Sequence, residues 1–64
     1  MDEQVKQARE YFRENRSYIH LEQIGDDVIA ELLGRSYVQE ASFERRMDFL
    51  YDYALSQGLC DVTE

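Results

Sequence analysis

Between Ser42 and Gly58 the apolar residues Phe43, Met47, Leu50, Tyr51 and Ala54 recur at helical spacing. At 100° per residue they fall within an arc of about 100°, the width of a core-facing stripe. Ser42 stands where a hydroxyl can accept an orphan N–H of the first turn. Glu44 then places a negative charge at the positive end of the helix dipole. Gly58 supplies a C-terminal stop, because glycine enters the left-handed conformation cheaply. This pattern predicts a helix over 42–57.

The rest of the chain holds nothing that argues against more of the same. It has no proline and three glycines in 64 residues, so helix breakers are few. The whole length, 1–64, reads as a single small acidic helical domain. A chain of this size buries only about 60% of the surface its unfolded form exposes. Disulfides, metals or a second subunit often support such domains. The single cysteine, Cys60, excludes an internal disulfide, and His20 as the only histidine leaves no zinc spacing. A homodimer is therefore expected as the working form, and neither a metal nor a cofactor is expected.

Net charge of −7 works against direct binding to nucleic acid or anionic membranes and suits a basic protein partner. No apolar run approaches a membrane span. The opening residues, MDEQ, lack the basic and apolar regions of a signal peptide. A cytoplasmic protein with a reduced thiol is the expectation. The charge is unevenly placed. In residues 1–16, Lys6, Arg9, Arg13 and Arg16 balance Asp2, Glu3, Glu10 and Glu14. From residue 17 onward Arg35, Arg45 and Arg46 face ten acids, so this part carries the entire −7.

Residues 2–15 read as the first helix, with Val5, Ala8 and Phe12 on one face and the basic side chains along a flank. Local pairs Lys6–Glu10 and Glu10–Arg13 would each add a few tenths of a kcal/mol there. Residues 17–24 are ambiguous. Tyr18-Ile19-His20-Leu21 has strand-like composition, but no second strand candidate is apparent, so a short helical turn is expected. Gly25 is read as ending that turn and Asp26 as capping the second helix, 26–33, whose Val28, Ile29, Leu32 and Leu33 form a wide apolar arc together with Ile24 just before it. Gly34 stops it. Ser36 and Gln39 have the spacing of a capping box, and a short helical turn followed by a bend near Ala41-Ser42 is expected. Beyond Gly58, Leu59 and Val62 are expected to fold back onto the bundle, with Asp61, Thr63 and Glu64 a frayed end. The fold class is all-α, a small three-helix bundle.

Three constellations bear on function. Catalysis is not expected: Cys60 and His20 are the only nucleophile–base pair available, and three short helices offer little concave surface in which to shift a pKa. Ile29 to Ser36 resembles the first helix and turn of the helix-turn-helix motif, with Ala30 four positions before Gly34. That resemblance implies a reading helix over Tyr37–Arg46 carrying Gln39, Arg45 and Arg46. It departs from the motif at Arg35 and Glu40, where apolar residues are usual. A small DNA-binding regulator is the alternative reading.

The third constellation is an acidic ridge. Glu40, Glu44, Asp48 and Asp52 are spaced by four, about 6 Å apart in height with a drift of about 40° per step. Like charges at this spacing destabilise a helix by about 0.2–0.5 kcal/mol per pair, so the repetition invites a functional explanation. Arg45–Asp48 would offset part of it. Phe49 lies about 140° from the centre of the helix stripe, and with Val38, Tyr53 and Arg45 it has the composition of an interface patch. The expected role is a non-catalytic module that regulates or inhibits a larger protein through this face, in its most specialised form by imitating DNA towards a nucleic-acid-binding protein. Its partner-binding residues would be Glu40, Glu44, Arg45, Asp48, Phe49, Asp52 and Tyr53.

Overall fold

The computed structural model describes residues 2–61. They form an all-α bundle: α1 (Glu3–Asn15), a 3-10 turn (Leu21–Gln23), α2 (Asp26–Leu33), α3 (Ser36–Gln39) and α4 (Phe43–Ser56). The three long helices are those expected from periodicity. The fourth is a single turn that the expectation placed between them without counting it as a helix.

The ends of the long helices follow local chemistry. The Asp2 carboxylate accepts from the Gln4 N–H at 2.9 Å and caps α1. Ser42 Oγ accepts from the Arg45 N–H at 3.3 Å and caps α4. At the far end of α4, Gly58 has φ +72°. The Gly58 N–H donates to Leu55 O and the Leu59 N–H to Ala54 O, the paired bonds of a Schellman motif. Gly34 ends α2 differently, staying right-handed at φ −85°.

Two caps differ from expectation. Gly25, in extended conformation, is itself the N-cap of α2, and Asp26 is the first helical residue. The Asp26 carboxylate, still exposed, accepts from Arg9 instead of capping. Arg35, not Ser36, precedes α3, and the Gln39 side chain donates to Leu33 O and to Gln4 Oε1 instead of closing a capping box.

The strand-like composition of residues 18–21 does find a partner. Ile19 bridges Cys60 in antiparallel fashion. The His20 N–H donates to Leu59 O at 2.8 Å and the Asp61 N–H to Tyr18 O at 2.6 Å. Leu59 folds back as expected, but Asp61 is tied by that bond and is not frayed. Val62, Thr63 and Glu64 lie outside the described residues.

The core gathers Val5, Ala8 and Phe12 from α1, Ile29 and Leu33 from α2, and Met47, Leu50 and Ala54 from α4. Ile19, Leu21 and Ile24 of the connection and Val38 of α3 close its ends. Burying a side chain such as Leu50 or Phe12 completely contributes about 1.5–3 kcal/mol. Among the described residues no polar or charged residue is buried. Phe43, read as part of the stripe, is 40% exposed. It is the first residue of α4, and its ring meets that of Tyr11 edge-on, with centroids 5.5 Å apart. Val38, read as an exposed patch residue, is buried. The bend at Ala41-Ser42 frees α3 from the phase of α4 and lets it turn Val38 inward. No helix among the described residues is long and apolar enough to cross a membrane.

Candidate functional site

Helix α4 turns Met47, Leu50 and Ala54 into the core, which obliges residues on the far side to face water. Glu44, Asp48 and Asp52 are all exposed there. Glu40 is not part of this row: it caps the end of α3, before the bend. The ridge is thus three carboxylates long instead of four.

Its central member is partnered, and not by Arg45. Arg16 Nη2 donates to Asp48 Oδ1 at 3.0 Å. The same guanidinium lies 4.9 Å from the ring centroid of Tyr51, 5.6 Å from Tyr11 and 5.7 Å from Phe12. Burial alone would lower the Arg16 pKa, but the Asp48 hydrogen bond and the neighbouring tyrosines leave it raised. Glu44 and Asp52 have no ion-pair partner among the described residues. Arg45 is exposed and is likewise without an ion pair among them.

The aromatic side of the expected site is rearranged. Phe49 is half-buried and meets the ring of Tyr37 edge-on, with centroids 5.5 Å apart. Tyr37 is 55% exposed and lies beside Arg35, whose Nη1 is 3.4 Å from the phenol oxygen. Tyr37 therefore takes the surface role expected of Val38. Tyr53 is half-buried and lines a shallow groove with Val28 and Leu59. By helical phase, Phe49 and Tyr53 lie on the opposite flank of α4 from Glu44 and Asp48. The structure therefore does not gather all seven expected site residues into one patch.

Beside the carboxylates stand residues that the sequence reading left out of the site. Tyr18 is 44% exposed and its ring lies edge-on to Tyr51 at 6.3 Å. The Tyr51 pKa is raised, chiefly through its interaction with the Tyr18 phenol. Leu55 is 42% exposed and falls between Glu44 and Asp48 in helical phase. Its displacement towards the acidic side was legible from spacing alone. The approach of Tyr18 and Arg16 to α4 had no local signal, because it spans more than thirty residues.

Of the seven basic residues, Arg9, Arg16, Arg35 and Arg46 bond to the protein itself, while Lys6, Arg13 and Arg45 are exposed without an ion pair among the described residues. Arg9 donates to Leu21 O at 3.0 Å, to Ile24 O at 2.9 Å and to the Asp26 carboxylate. Arg35 pairs with Glu31, and Arg46 donates to Gln39 O at 3.0 Å. The local pairs Lys6–Glu10 and Glu10–Arg13 are not among the ion pairs of the described residues. Residues 37–46 do not form the continuous helix that the helix-turn-helix resemblance implies, since α3 ends at Gln39 and α4 begins at Phe43. His20 Nδ1 lies 3.3 Å from Glu22 Oε2. Cys60 is half-buried in the bridge to Ile19. Among the described residues no group of three or more potential metal ligands converges.

No known protein family, curated protein or solved structure matches this chain.

Proposed function

We propose that this chain is a non-catalytic, cytoplasmic protein-binding module that regulates or inhibits a larger partner through the acidic face of α4. The observation that carries the reading is the disposition of charge. Glu44, Asp48 and Asp52 face water along one side of α4, while Arg9, Arg16, Arg35 and Arg46 are engaged by the protein's own acids and carbonyls. A surface of this kind raises the encounter rate with a basic groove. Tyr18 and Leu55 at its edge supply the apolar contact that slows dissociation. The specialised form of the reading is mimicry of DNA, with a nucleic-acid-binding protein as the target. The working form is a homodimer, which sedimentation equilibrium tests directly.

The test of the face is an affinity capture from host lysate with nuclease present. The control is Glu44→Lys with Asp52→Lys, the two carboxylates without structural ion pairs. Asp48 is left alone because it holds Arg16. The expected result is one stoichiometric partner, insensitive to nuclease, released by salt and lost in the control while circular dichroism is unchanged. Recovery of nuclease-sensitive material only, or a partner indifferent to the charge reversal, overturns the proposal.

A further inference from the structure

Helix α1 covers one side of the α2–α4 pair. It reaches Asp26 of α2 through Arg9, and Phe43 and Tyr51 of α4 through Tyr11 and the Arg16 that follows it. On the other side, Val28 of α2 and Tyr53 of α4 line a common groove. Leu32 and Phe49, one turn away from each, share the same flanks. All four are half-buried, packed on the core from one side and accessible from the other. Tyr37, 55% exposed and edge-on to Phe49, extends this face across α3. Arg45 and Asp52 border it on α4, on either side of Phe49 in sequence. They stand within about 20° of one another in helical phase and about 10 Å apart along the axis. Both are exposed, and neither has an ion pair among the described residues.

We infer that a second copy of the chain covers this face, in a two-fold dimer whose α4 helices run antiparallel past each other at Phe49. The charge pattern selects that occupant. A two-fold interface is self-complementary, so a contact between two different residues is made twice. Antiparallel α4 helices bring Arg45 of each copy to Asp52 of the other, and one free cation and one free anion on a single flank are both matched. The net charge of −7 makes two copies repel. Such a chain associates where its acids are fewest or are answered by a cation, and Arg45 is the α4 cation left free to do so, since Arg46 is bonded to Gln39 O. Glu44 and Asp48 lie about 100–140° round the helix from Phe49, so they stay in water when the dimer forms. A face one helix pair wide is at the small end of specific interfaces, which sets the expected Kd on the order of 10 μM. The inference assigns the surface of the homodimer proposed above and rests on that reading.

The experiment is sedimentation equilibrium of the full chain at physiological ionic strength, compared with Arg45→Asp, Asp52→Arg and the double variant carrying both. Each single reversal sets two pairs of like charges against each other and is expected to weaken the dimer about tenfold or more. The double variant exchanges the charges and is expected to restore the Kd to within about threefold of the parent. Asp52→Arg also lowers the net charge of each copy from −7 to −5. A general charge effect would therefore strengthen association in that variant, and the interface predicts the opposite. Glu44→Lys makes the same change in net charge away from the face and is expected not to weaken the dimer. All four substitutions fall on exposed residues, and circular dichroism verifies that each variant keeps its helices. A parent that stays monomeric to about 100 μM overturns the homodimer reading itself. A parent that dimerises while the single reversals leave its Kd unchanged, or while the double variant fails to restore it, overturns this interface alone and moves the dimer to another surface.

Discussion

Arg16, the residue that ends α1, and Asp48, in the middle of α4, meet through a 3.0 Å hydrogen bond. The pair joins two elements 32 residues apart at a point where Arg16 is also stacked among Tyr11, Phe12 and Tyr51. The guanidinium side chain is 22% exposed and its Nη1 is buried without a partner. The ring faces around it offset part of that desolvation. The arginine thus works mainly as a packed cation, with the carboxylate fixing its direction.

From this, Arg16→Ala is expected to destabilise the fold by about 2 kcal/mol, combining lost cation–π contact with lost stem packing. Asp48→Asn, which removes a half-exposed charge, is expected to cost only about 0.5 kcal/mol. Urea denaturation of the two single variants and the double variant measures both, and a coupling above about 1 kcal/mol would contradict the minor role given to the ion pair.

Arg9 offers the opposite case, in which direction matters most. Its fork donates to two carbonyls and a carboxylate at once. Lysine keeps the charge but not the fork. Arg9→Lys is therefore expected to destabilise by about 1–2 kcal/mol, leaving the Leu21 and Ile24 carbonyls less well satisfied. Hydrogen exchange should show the loss first around residues 21–26, and a variant as stable as the parent would refute the clamp.

The two helix-ending glycines should respond differently to alanine. At Gly58 an added Cβ meets nothing within 4 Å, but φ is +72°. Gly58→Ala should cost about 1–2 kcal/mol from backbone strain alone, and Gly58→Asn less. At Gly34 φ is negative, and the new Cβ would lie 3.1 Å from Ala30 O. There the smaller unfolded-state entropy opposes a slight crowding, and Gly34→Ala should change stability by less than about 0.5 kcal/mol. Thermal melts of the two variants side by side decide the point.

Tyr51 should titrate above the ordinary tyrosine value, because its interaction with the Tyr18 phenol favours the neutral form. A raised acid pKa in the folded state means the associated stabilisation is present below the unfolded pKa of about 10 and is lost as pH rises through the folded value. Carbon-detected NMR of the tyrosine rings should show Tyr51 among the last to ionise. In Tyr18→Phe it should return towards the ordinary value, and an unchanged Tyr51 would break the assignment.

Helix α4 was legible in sequence almost to the residue, because its stripe, its serine cap and its glycine stop are all local. The same holds for α1 and α2, apart from one residue at a cap. The acidic ridge was legible as a spacing, but its length was not, since whether Glu40 joins it depends on a bend at Ala41-Ser42. The role of Val38 was lost for the same reason: a helical wheel extended through a bend reports the wrong face. The segment 18–21 was read against its own composition because its pairing partner, Cys60, sits in a stretch with no strand pattern.

The sequence by itself determined the three long helices, the central part of their inward faces and the acidity of everything after residue 16, since each follows from neighbours within a turn or two. Only the tertiary structure decided which charges remain free. Arg9 and Arg16 look alike along the flank of α1, yet one is consumed by the carbonyls before α2 and the other by Asp48 and a ring of aromatics, while Arg13 between them is left facing a cavity. A side chain's partner is set by which elements pack beside it, and residues 12 to 32 positions away carry no mark of that in the local pattern.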